Sequence, residues 1–401
     1  MKETQLAKQK FSFFQKRMNI QSKNSEHKSS GSFLAFSNLG QPTWTPRDYS
    51  ALAREGYRQN PIAYRCVRLI AEAVASVSLV ARDSAGNMHP FQGLISRPNF
   101  EQTGVELVEA FIGHLQIAGN AYLEMISIGE EARELSVLRP DTVRIIGGEN
   151  GWPIGWEQTT QGKSRRLWRD QISGRSDILH LKLFNPCDDL YGQSPIESAA
   201  CAIDIHNAGG AWNKALIDNA ARPSGALVYR GTPGNERLSD EQFERLKAEL
   251  LVAHTGATNA GRPLLLEGGL EWSPMSLTPQ EMDFVEARRA AARDIALAFG
   301  VPPMLLGIPG DNTYSNYKEA NNAFWRQSVL PLVYKMANSL SVFLGAWSDT
   351  ELIISPDLDK VPALVSEREA LWSRLESANF IDVNEKRSLA GLAPLTATVP
   401  Q

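Results

Sequence analysis

The sequence predicts an α+β chain made of more than one module. Three features carry that prediction. Apolar residues recur at helical spacing behind clear start signals. Strand-like apolar pieces form one block between residues 121 and 183. A compact β-α-β-β unit, about 222–275, interrupts two long helical stretches. The 401 residues suit two or three modules of about 150 residues each. Apolar residues make up 43% and charged residues 21%, enough apolar mass for more than one core. Cys66, Cys187 and Cys201 form no C-x-x-C pair, which argues against a disulfide-stapled scaffold and a structural zinc site. No apolar run approaches the roughly 18 residues of a membrane span. The basic start lacks the apolar block of a secretory signal.

The first helix opens at Asn60-Pro61, where Asn caps and Pro suits the first helical position. Ile62, Cys66, Leu69, Ile70, Ala73, Val74 and Val77 then follow at helical spacing. A second helix spans 104–118, with Leu107, Phe111, Leu115 and Ala118 on one face, and Gly119-Asn120 breaks it. Strands are expected at 121–128, 135–138, 142–146 and 178–183. In the last, Leu179, Leu181 and Leu183 alternate with His180 and Lys182. Residues 147–175 read as loops rich in Gly and Pro. Ser194-Pro195 starts a long helix over about 195–220, with Gly209-Gly210 inside it. Then come a strand at 226–229, a capping box at Ser239-Asp240-Glu241-Gln242 opening a helix, and strands at 264–266 and 270–272 about Gly268-Gly269. Thr278-Pro279-Gln280-Glu281 opens a helix to about Phe299, stopped by Gly300-Val301-Pro302-Pro303. The stretch 307–316 is loop-rich and polar. A helix over about 316–345 has a kink expected at Pro331. The tail beyond Ser355-Pro356 is mostly helical, with a last short helix near 383–391.

Charge is spread unevenly. Against a formal −4 overall, residues 1–32 hold seven basic side chains and two acids. That arm is therefore +5 and the rest is −9. Its Ser/Asn/Gly-rich stretch QSKNSEHKSSGS cannot bury enough apolar surface to fold alone, so 1–45 reads as a flexible basic arm. The acidic body argues against a protein that grips a phosphate backbone by counterion release.

No catalytic constellation emerges. There is no H-E-x-x-H. Gly162-Lys163-Ser164 ends like a phosphate loop, but the motif's first Gly falls on Glu157. Gly192-Gln193-Ser194-Pro195-Ile196 begins like a nucleophile elbow and lacks its closing Gly, so Ser194 reads as a helix cap. Asp188 and Asp189 adjoin in a loop without further clustered ligands. His114 and His180 lie within a helix and a strand, where structural roles are the default. No catalytic, cofactor-binding or metal residue is assigned. Two other readings compete: a metal-dependent hydrolase or nuclease using Asp188, Asp189 or Ser194, and a monomeric DNA-binding module using the arm. Missing motifs count against the first. The acidic body counts against the second.

The pieces YGQSPIESA (191–199), ARPSGALV (221–228), LSDEQFERLKAEL (238–250), NAGRPLLLEGGLEW (259–272) and SLTPQEMDFVEARRAAARDIALAFGVPPMLLG (276–307) occur in one order. TYSNYKEANNAFWRQSVLPLVYKM (313–336) and NEKRSLAGLAPL (384–395) continue it. Upstream stand NPIAYRCVRLIAEAVASVSL (60–79), GNAYLEM (119–125) and LRPDTVRI (138–145). Taken together, about 50–395 resembles the portal proteins of tailed bacteriophages and gene transfer agents.

That resemblance implies a portal fold assembled as a dodecameric ring at one capsid vertex, and no enzyme. It implies a wing over 46–190, stem helices at 191–221 and 279–299 and a clip at 222–278. It also implies a channel-loop region at 300–315, a wing helix lining the channel at 316–355 and a helical crown at 356–401. Candidate channel residues are Gly310, Asp311, Asn312, Thr313 and Tyr314. Candidate clip residues, for core or motor contact, are Phe243, Leu246, Leu250, Leu265 and Trp272. The implied partners are further copies of the chain, the terminase large subunit, head–tail adaptor proteins, the major capsid protein and double-stranded DNA, with no membrane. The implied location is the virion, after assembly in the bacterial cytoplasm.

Overall fold

Asn60 opens the first long helix, α1 (Pro61–Ala75), by accepting the backbone N–H groups of Ile62 and Ala63, each at 3.0 Å. The computed structural model describes residues 48–129, 131–148, 151–218, 225–229, 239, 241, 243–245, 248, 270–274, 284–308, 314–391 and 395. Helix α1 buries Ala63, Cys66, Val67, Ile70, Ala71 and Val74, a stripe at three- and four-residue steps. Burial of each of its larger side chains is worth about 1.5–3 kcal/mol. Strand β1 (Leu79–Arg82) follows. Helix α2 (Gly104–Ala118) packs on α1. It starts at a capping box between Thr103 and Glu106 and ends at left-handed Gly119, φ +71°.

Strands β2 (Asn120–Ile128), β3 (Glu131–Leu138), β4 (Val143–Gly147), β5 (Pro153–Thr160), β6 (Lys163–Trp168) and β7 (Ile178–Lys182) form two antiparallel sheets. Their orders are β3–β2–β7 and β4–β5–β6. Leu123, Met125, Leu135 and Leu181 face the main core with α1 and α2. Tyr122, Leu138, Val143, Ile145, Trp156 and Ile178 form a smaller core beneath the second sheet.

The hairpin β5–β6 corrects the expectation of loops across 147–175. Its turn is Gln161-Gly162, with φ +50° and +77°. Two left-handed central residues match the twist of a tight hairpin. The signal was weak because β6 is exposed along nearly its whole length, so no apolar alternation marks it.

The helix expected over 195–220 is also interrupted. A single turn, Pro195–Ser198, breaks at Ala199 before α3 (Ala200–Asp218) begins. Beyond it, β8 (Gly225–Tyr229) pairs antiparallel with β9 (Leu270–Pro274), setting Leu227 opposite Trp272. Residues 241, 243–245 and 248 between them are helical. The expected strand at 264–266 and the Gly268-Gly269 turn lie outside the described residues.

Helix α4 (Phe284–Ala298) packs along α3. Helices α5 (Tyr314–Phe324) and α6 (Leu330–Gly345) are joined by a π turn, Trp325–Val329. There the Leu330 N–H reaches Trp325 O. The wider turn takes up the defect that Pro331, lacking an N–H, brings to the ladder. Strand β10 (Ile353–Pro356) returns to pair with β1, Val80 opposite Ser355. Helices α7 (Val365–Ser377) and α8 (Val383–Leu389) are the last helices among the described residues.

Candidate functional site

Of the side chains considered for catalysis, Asp188 and Ser194 are occupied in the backbone. Asp188 Oδ1 accepts the N–H groups of Leu190 at 2.7 Å and Tyr191 at 3.1 Å, which shapes its loop. Ser194 is 1% exposed. Its Oγ accepts from Ile196 N at 3.0 Å and donates to Ile117 O at 2.7 Å. A hydroxyl so engaged is a cap, not a nucleophile. Among the described residues no group of three or more His, Cys, Asp or Glu is placed to hold a metal ion.

Polar chemistry concentrates instead at two joints. At the first, Asn120 reads both backbone groups of Gly192. Gly192 N donates to Asn120 Oδ1 at 2.8 Å, and Asn120 Nδ2 donates to Gly192 O at 3.2 Å. The same amide donates to Ala118 O at 2.9 Å. His180 Nε2 lies 3.0 Å from Asn120 Oδ1, which can only accept, so Nε2 carries the proton. The imidazole stacks on Tyr122 at 4.5 Å. Burial, then the charge of Lys182, push its pKa down to about 3, so the ring is neutral. This network ties β2 and β7 to the chain entering α3.

At the second joint, Asn60 reaches α3. Its Nδ2 donates to Asn207 Oδ1 at 3.0 Å and approaches His206 Nδ1 at 3.2 Å. Asn207 Nδ2 donates to Glu55 O at 3.0 Å. From α4, Arg288 Nε donates to His206 Nε2 at 3.3 Å. Burial and then Arg288 lower the His206 pKa. A neutral imidazole has one acceptor nitrogen, which takes one of the two donors facing it; protonating the ring would remove that acceptor and set two cations together. One cluster thus ties α1, α3 and α4.

Of the residues singled out from sequence, Tyr314, Phe243 and Trp272 lie among the described residues. Gly310, Asp311, Asn312 and Thr313 lie outside the described residues, as do Leu246, Leu250 and Leu265. Tyr314 was expected in the channel loop and is instead the first residue of α5. The reason is local: no Gly or Pro stands between Asp311 and Leu330, so nothing stops the helix from growing back to it. Phe243, offered for clip core or motor contact, is 56% exposed in the single chain. Trp272 sits in β9. Sequence reasoning missed Asn120, His180, His206 and Arg288 as joints. The one hint was Gly119-Asn120, read merely as a helix breaker.

Residues 61–391 match the family model for phage portal proteins. An uncharacterized protein of Rickettsia bellii is 42% identical over 343 residues, covering 84% of this chain and 88% of that one. The portal protein of Enterobacteria phage HK97 is 24% identical over 362 residues, 86% of this chain and 82% of its own. Among solved structures, a chain from the neck of an empty gene transfer agent particle, computed with C6 symmetry, superimposes with a TM-score of 0.69 at 49% identity. That match covers 90% of this chain and 98% of the other. With the family model spanning most of its length, this chain belongs to the phage portal protein family.

Proposed function

We propose that twelve copies of this portal protein close into a ring at one vertex of a capsid, through which double-stranded DNA is packaged and ejected. The observation that carries this reading is the likeness to chains from gene transfer agent necks. One of them, from a native particle computed with C12 symmetry, is 48% identical over 89% of this chain. In this reading the terminase large subunit and then head–tail adaptors dock on the clip, 222–278. The major capsid protein surrounds the wing, 46–190. The helices of 191–221 and 279–299 form the stem, and 356–401 forms the crown inside the head. The loop within 300–315 faces the DNA. The ring works without catalysis.

Elementary electrostatics supports a conduit. A lining that neutralised many phosphates would hold the duplex, because affinity rises with each counterion released. The −9 body keeps DNA hydrated and free to slide. Helices α3 and α4, fastened to α1 through His206 and Asn60, suit a stalk that must not bend while DNA moves. The test is the particle itself. Micrographs of purified protein are expected to show perforated rings of uniform diameter. A mass of 44.2 kDa, that of one chain, at every concentration overturns the proposal.

A further inference from the structure

We infer that neighbouring copies are joined by a knob at Phe100 on one copy seated in a cleft between β5, β7 and α6 on the next. The inference rests on the ring reading above and adds which surfaces meet. The cleft measures about 850 Å³ and is lined by Trp152, Trp156, Leu179, Lys182, Val342 and Phe343 among others. Its rim is apolar and open: Trp152 is 76% and Val342 78% exposed. Trp156, only 4% exposed, is among its lining residues. Arg169 and Lys182 line it against one carboxylate, Asp189.

The knob has the opposite character. Phe100 is 87% exposed, which is unusual for so large an apolar ring. It is also held rigidly. Asn99 Oδ1 accepts the N–H groups of Glu101 at 3.0 Å and Gln102 at 2.8 Å. Asn99 Nδ2 donates to Leu135 O at 2.9 Å, and Leu135 N donates to Pro98 O at 2.8 Å. A braced loop loses little freedom when it binds, so its aromatic tip is a preorganised anchor. Beside it stand the exposed Glu101 and Val105, an acid and an apolar group to match the cations and apolar rim.

Topology separates the two surfaces. The sheet order is β3–β2–β7. The knob is bonded to β3 at one edge, and the cleft is lined by β7 at the other. They are two different patches on opposite edges of one sheet. A contact between unlike patches is head-to-tail, and head-to-tail contacts close into rings when the rotation allows. A second copy is therefore the occupant: Phe100 fills the apolar cleft, and Glu101 faces Arg169 and Lys182.

The test is cross-linking of the full-length protein in a Cys187→Ser, Cys201→Ser background. Phe100→Cys combined with Trp152→Cys, treated with a short bismaleimide, is expected to give a ladder of covalent oligomers, and neither single variant gives one. Rings visible by microscopy without a ladder overturn this inference and leave the ring reading standing. Parent protein, with Phe100 and Trp152 intact, that never forms rings overturns both. Independently, Phe100→Ala is expected to raise the concentration needed for assembly at least about tenfold, as loss of a central aromatic anchor does. Its circular dichroism is expected to stay unchanged. Ile172→Ala, at an exposed position outside the cleft lining, is expected to have no such effect. Equal behaviour of the two variants overturns the inference.

Discussion

Gly119 and Gly192 pass each other with their backbones in contact. A Cβ on Gly192 would stand 2.2 Å from the Gly119 carbonyl oxygen and 2.7 Å from Leu183 N. That same carbonyl already accepts Leu183 N at 2.8 Å. The crossing brings the end of α2 against the chain that enters α3. It leaves no room for a side chain, because the atoms in the way are backbone and cannot rotate aside.

Gly192→Ala is therefore expected to destabilise the fold by about 2–4 kcal/mol, through overpacking against immovable atoms. Gly129→Ala makes the comparison. Gly129 has φ +65°, and a Cβ added there would meet nothing within 4 Å, so only the conformational cost of about 1–2 kcal/mol applies. Urea denaturation of both variants checks the ranking.

Acid should loosen the first joint. The His180 pKa falls from 6.5 to about 3 on folding, so the unfolded chain binds the extra proton in that window. The stability it contributes is complete above about pH 6.5 and drains away as pH falls toward 3, at up to about 1.4 kcal/mol per pH unit. His180→Gln is expected to flatten the dependence of the denaturation midpoint on pH between 6 and 4. An unchanged slope would show that the ring is not held neutral.

Asn60 serves both as the cap of α1 and as the link to α3. Asn60→Ala loses both and is expected to cost about 2–4 kcal/mol. Asn60→Asp keeps the acceptor for Ile62 and Ala63 but loses the donor to Asn207, so it should fall between Ala and wild type. Thermal melts of the three proteins decide it.

Deleting Gly310 to Thr313 is expected to leave ring assembly intact and to impair packaging or retention of DNA. Tyr314 is spared because it begins α5. DNA content per particle, equal in deleted and parent material, would count against a channel role for this loop.

In the proposed clip, Trp272→Asp is expected to disturb assembly or motor docking. Trp272 lies opposite Leu227, and a lone charge in a two-stranded pairing gains no partner there. Ring yield and terminase binding, both unaltered, would reject the placement.

Much of the architecture was legible because its causes are local. Asn60, Ser194 and the apolar stripe of α1 announce helices through neighbours a few residues away. The family likeness was legible for the same reason, as short pieces in a shared order. Hairpin β5–β6 escaped because its strand β6 lies exposed, and exposure erases alternation. Phe243 shows the same limit: an apolar helical face asks for cover without saying whether its own chain or another supplies it.

The sequence by itself determined where helices and most strands form and which family they compose, since caps, turns and periodicity act over a few bonds. Only the tertiary structure decided that Asn120 grips Gly192, 72 residues away, and that Asn60 meets His206, 146 residues away. A polar side chain carries the same donors and acceptors wherever it sits. Which partner it takes is settled by the packing that desolvates it, and packing is a property of the folded chain.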